Sequence, residues 1–91
     1  MTNTHNQIIQ QTIKTLTKNN IEIVSINSTY NSTTITFSFP NDIFAYQFLI
    51  QTDNKTNQTN IYTFKITDKN NDFIDNPNNT NKLIKKLIKN L

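Results

Sequence analysis

Thr33-Thr34-Ile35-Thr36-Phe37-Ser38-Phe39 alternates strictly, with Ile35, Phe37 and Phe39 on one side and Thr34, Thr36 and Ser38 on the other. A period of two places the two sets on opposite faces of a strand, and the sorting of apolar from hydroxyl residues makes it an antiparallel strand with one buried face. Downstream, Pro40-Asn41-Asp42 breaks the pattern. The following run, Ile43 to Ile50, puts Phe44, Tyr46, Phe48 and Ile50 on one face and Ile43, Ala45 and Leu49 on the other. Asn41 or Asp42 would cap a short helix there, but the length and the Ile, Phe and Tyr content favour a strand. A polar loop, Thr52 to Asn60, precedes a fourth strand, Ile61 to Thr67, in which Tyr62, Phe64 and Ile66 are expected to face the core.

Upstream, Tyr30-Asn31-Ser32 reads as a turn, and a first strand begins at Ile21 with a bulge or twist near Val24, where the apolar phase changes. Thr4-His5-Asn6-Gln7 fits a capping box, after which Ile8, Ile9, Thr12, Ile13 and Leu16 recur at helical spacing. The spacing predicts a helix over about residues 5–18, stopped by Asn19-Asn20 because Asn tolerates the left-handed conformation. Asp68 to Asn76 reads as a loop. Asn76-Pro77 then opens a second helix, with Leu83, Ile84, Leu87, Ile88 and Leu91 as its apolar stripe and Lys82, Lys85, Lys86 and Lys89 opposite. The expected fold is α+β: a helix, a four-stranded antiparallel meander and a helix, with both helices on the aromatic face of the sheet, as one domain over residues 1–91.

Composition sets further bounds. In 91 residues there is no Cys, no Gly and no Arg; all nine cations are Lys, and the formal charge is +3 with a pI of about 9.3. Seventeen residues are Asn, a bias toward AT-rich codons that makes short Asn motifs, including sequons, match by accident. Without Cys, neither disulfides nor thiolate ligands are available, so a small core relies on packing or on self-association. Neither a leader-like N-terminus nor an apolar stretch of membrane-spanning length is present, which makes a cytoplasmic protein the expectation.

The catalytic inventory is thin: one His, one Glu, no Cys, and no Gly-rich phosphate cradle. The loop carboxylates Asp42, Asp68, Asp72 and Asp75 suit turn capping better than reaction, and His5 reads as an exposed residue at a helix start. No enzyme, metal or cofactor is expected. Asp68, Asn70 and Asp72 match the first positions of a calcium loop, but Phe73 stands where the sharp turn needs Gly. Phe37, Phe39, Tyr46, Phe48, Tyr62 and Phe64 are read as core rather than as a base-stacking platform.

Two surfaces are left. With the aromatic set inward, Ile43, Ala45, Leu49 and Ile61 point outward and form a partly apolar patch for a second copy or a partner protein. This makes a non-catalytic binding domain, such as an accessory or inhibitor protein, the leading expectation. The alternative is sequence-independent nucleic-acid binding through Lys82, Lys85, Lys86 and Lys89, by charge and shape, since no Arg supplies a bidentate fork.

Overall fold

β2 (Ser32–Ser38) lies second in a five-stranded antiparallel sheet ordered β1-β2-β3-β4-β5, with β1 Glu22–Ser28, β3 Ala45–Thr52, β4 Thr59–Ile66 and β5 Asn71–Asp75. The chain is known from a computed structural model that describes residues 3–40, 42–68, 70–76 and 79–89. Helices α1 (Asn3–Lys18) and α2 (Thr80–Lys89) bracket the sheet in sequence. The fold is therefore α+β, with five strands where the sequence pattern gives four. The extra strand occupies the stretch read as a loop, and its pairing of Phe73 with Phe64 explains why it forms despite its polar ends.

The alternation in β2 is realised: Ile35 and Phe37 are buried, Thr34 and Thr36 half-buried. Ile43 to Ile50 resolves as a strand from Ala45 onward, with Tyr46, Phe48 and Ile50 inward. Phe37 packs its ring against Phe48 at 4.9 Å between centroids and against Tyr46 at 5.8 Å, inside the range where aromatic pairs attract. Each such fully buried ring contributes about 2–3 kcal/mol through area removed from water. The core cluster also takes Leu16 from α1, Ile61 from β4, and Leu83 and Ile84 from α2, with Ile8, Ile9, Ile13, Leu87 and Ile88 packed against it.

β4 has the opposite phase to the one its aromatic content suggests. The hairpin loop 53–58 pairs Thr52 with Thr59, which brings Ile50 opposite Ile61, Phe48 opposite Thr63 and Leu49 opposite Tyr62. Opposed residues share a face, so Ile61 and Thr63 enter the core while Tyr62 and Phe64 face away from it. The loop fixes that register: Asp53 Oδ1 accepts the amides of Lys55 at 2.7 Å and Thr56 at 3.3 Å, and Asn57 takes a left-handed φ of 58°.

Helix ends follow local chemistry. Asn20 has a φ of 59°, its amide donates to Thr17 O at 3.1 Å and that of Ile21 to Leu16 O at 2.9 Å, the paired bonds of a Schellman cap. Leu16 and Ile21 are both buried beside it. At the other end α1 starts at Asn3 rather than His5, so Thr4 lies inside the helix. The second helix begins at Thr80 instead of Asn76, with Asn79 Oδ1 accepting the Asn81 amide at 2.8 Å; Pro77 and Leu91 lie outside the described residues. In β1 the register shifts between Ile23 and Ser25, making Val24 the bulge residue and returning Ile26 to the position opposite Ile35. Among the described residues no helix is long and apolar enough to cross a membrane.

Candidate interaction surfaces

The polar constellation at the core is built on His5. It is fully buried, contrary to its reading as an exposed helix-start residue, because the earlier start of α1 makes it the first member of the stripe that runs through Ile9, Thr12 and Leu16. Its Nδ1 lies 2.6 Å from Thr52 Oγ1 on β3 and its Nε2 3.0 Å from Thr33 Oγ1 on β2. Thr33 Oγ1 is 3.1 Å from Ser28 Oγ, and Thr52 Oγ1 is 2.9 Å from Thr59 Oγ1, so four strands and α1 join one hydroxyl network. A neutral imidazole carries one N–H, so one threonine donates to the ring and the other accepts from it. Burial, and after it the positive charge of the amino terminus, pushes the His5 pKa below 6.5. A neutral ring with both nitrogens held by hydroxyls inside the core is a fastener for α1.

Asp42 acts within its own turn, accepting the Phe44 amide on Oδ1 at 3.0 Å and the Tyr46 hydroxyl on Oδ2 at 3.2 Å. Burial, then the Asp42 charge and this hydrogen bond, raise the Tyr46 pKa above 10. Of the residues that match the first positions of a calcium loop, Asp72 lies within the strand Asn71–Asp75. Among the described residues no three His, Cys, Asp or Glu side chains come together as a metal site.

Of the outward candidates, Ala45 and Leu49 do occupy the face of the sheet away from the core, at half-buried positions. Ile43 precedes β3 and is 89% exposed, off the sheet. Ile61 is corrected: at 3% exposure it is a core residue, for the register reason given above. Tyr62, Phe64 and Ile66 take its place on the outer face, and Phe73 on β5 joins them, 58% exposed and edge-on to Phe64 at 5.9 Å. Phe37, Phe39, Tyr46 and Phe48 are core, as their alternation implies. Outer-face positions on β3, β4 and β5 are Ala45, Gln47, Leu49, Gln51, Asn60, Tyr62, Phe64, Ile66, Asn71 and Phe73, none of them charged.

Lys82, Lys85, Lys86 and Lys89 are all exposed along α2, and Lys14 and Lys18 are exposed on α1. The helices touch where Thr12 Oγ1 meets Thr80 Oγ1 at 2.6 Å and where the Thr15 hydroxyl donates to Asn81 Oδ1 at 2.5 Å. An open groove of about 460 Å³ lies there, lined by Gln11, Lys14, Thr15, Lys18, Asn79 and Asn81. Compared with models of known protein families, with curated proteins and with solved structures, the chain matches none.

Proposed function

We propose that this protein is a non-catalytic binding domain whose working surface is the β3–β5 half of the outer sheet face, and that a second copy of the chain covers it. In this reading both helices lie over the core side of the sheet and leave the other side free. The supporting observation is the run of Leu49, Tyr62, Phe64, Ile66 and Phe73 across three adjacent strands with no charged residue among the outer positions of those strands. Aromatic and aliphatic side chains gathered without charge have the make-up of an interface centre. The lack of charge bears on the occupant: two chains of net charge +3 meet with least repulsion through a neutral face, with the six helix lysines, in this reading, on the far sides.

Sedimentation velocity on Leu49→Asp and Phe64→Asp tests the reading, with Thr36→Asp on the β2 side of the same face as the control. The first two are expected to shift the protein to monomer with its circular dichroism unchanged, and the control to leave the association in place. Equal behaviour of all three, or folded variants that associate as the parent does, would overturn it. An interface formed with a different protein would appear as a monomer at every concentration, which also counts against the second-copy assignment.

A further inference from the structure

We infer that the helical side of the molecule is a separate binding surface, made by six lysines on α1 and α2, for the phosphate backbone of a nucleic-acid duplex. Lys14, Lys18, Lys82, Lys85, Lys86 and Lys89 are six of the nine lysines, and neither helix contains an Asp or Glu. All six acidic residues, with Lys55 and Lys65, lie in strands and loops outside the two helices. The helices therefore carry +6 and the rest of the chain −3, a segregation much sharper than the net charge implies.

The α1 lysines adjoin the start of α2, from which the α2 lysines continue. Lys14 and Lys18 line the groove at the start of α2 together with Asn81. Asn81, Lys85 and Lys89 are spaced four apart, so that row runs along α2 from the groove, with Lys82 and Lys86 in the row beside it. Gln11, Thr15 and Asn79 in the groove add neutral groups of the kind that hydrogen-bond phosphate oxygens.

The chemistry of the face selects among polyanions. A lipid surface would need apolar side chains to insert, but those of α2 are turned into the core: Leu83 and Ile84 are buried, Leu87 and Ile88 are packed against the cluster. An acidic protein would need an apolar centre, whereas exposed residues here are Lys, Asn, Gln and Thr. Single strands are held by base stacking on aromatic rings, and neither helix has an aromatic residue apart from the buried His5. A duplex presents phosphates at fixed spacing and can be held by its backbone alone. This surface is independent of the sheet-face reading, because no residue is shared between them.

Fluorescence anisotropy with a labelled mixed-sequence DNA duplex of about two helical turns is the test, run across salt with the intact chain. Each phosphate contact adds about −0.9 to the slope of log affinity against log salt, so six give about −5, a loss of roughly a thousandfold between about 50 and 200 mM salt. Lys14→Gln with Lys18→Gln should flatten the slope by about 2, and Gln at all four α2 positions by about 3–4. All six sites are exposed, so circular dichroism should stay unchanged. Polyglutamate, a single strand of the same sequence and phosphatidylserine vesicles serve as competitors. Weaker competition by each than by unlabelled duplex supports the inference; competition as strong as duplex, no binding at low salt, or a slope untouched by either set of substitutions would overturn it. The sheet-face variant Leu49→Asp should leave the salt slope in place.

Discussion

His5→Ala should be among the most damaging single substitutions in the chain, and its effect should depend on pH in a defined direction. The ring is fully buried and its two nitrogens lie 2.6 and 3.0 Å from the hydroxyls of Thr52 and Thr33. Two buried hydrogen bonds at about 1 kcal/mol each, plus the cavity left by an imidazole, give a loss of about 3 kcal/mol. That is a large part of the roughly 5–15 kcal/mol that holds an ordinary domain together. In urea, with a slope of about 1–2 kcal/mol per molar for a chain this small, the midpoint should fall by about 2 M. The folded pKa lies below the unfolded value of 6.5, so the unfolded state takes up the proton first as pH falls. The stabilisation by His5 is therefore complete above about pH 6.5 and is lost progressively below it. The gap between parent and variant should be widest near pH 7.5 and narrower near about pH 5, as read by urea titration at both. A variant within about 0.5 kcal/mol of the parent, or a gap that widens with acid, would refute a buried neutral histidine.

Three further outcomes are expected. Ile61→Ala should cost about 2–4 kcal/mol in a urea titration whereas Tyr62→Ala costs less; the reverse order would mean that the β4 register is wrong. Thr63 Oγ1 is buried without a hydrogen-bond partner among the described residues, so Thr63→Val, which keeps the shape and removes the hydroxyl, should stabilise the fold by about 1 kcal/mol, and a destabilised variant would reveal a partner. Asn20 holds a left-handed conformation at the end of α1, so Asn20→Val should lower the melting temperature, with a loss of about 1–2 kcal/mol, while Asn20→Gly is tolerated; equal melting of the two would contradict the cap.

Where sequence and structure part, the reason is register or helix phase. The Ile35, Phe37, Phe39 alternation and the apolar stripes of both helices were legible because each has a single period and one apolar set. β4 offers two nearly equivalent sets, Ile61 with Thr63 against Tyr62 with Phe64, and hydrophobicity alone favours the aromatics. The choice is made outside the strand, by the turn at Asp53–Asn57 that pairs Thr52 with Thr59. β5 is hidden in the sequence because Asn71, Asp72 and Asp75 have loop character, and only the pairing of Phe73 with Phe64 gives them a ladder. His5 carried a signal that was available: it sits four residues before Ile9 and seven before Thr12, one turn upstream of the stripe. For the outer face, Ala45 and Leu49 were legible from β3, but Tyr62, Phe64 and Phe73 depended on a register that no local pattern encodes.

Coverage of the outer sheet face by a second copy is tested most directly by the molar mass of the unaltered chain in light scattering, followed from low to high micromolar concentration. A mass approaching twice 10.6 kDa is expected as concentration rises. A mass that stays at 10.6 kDa throughout would contradict it.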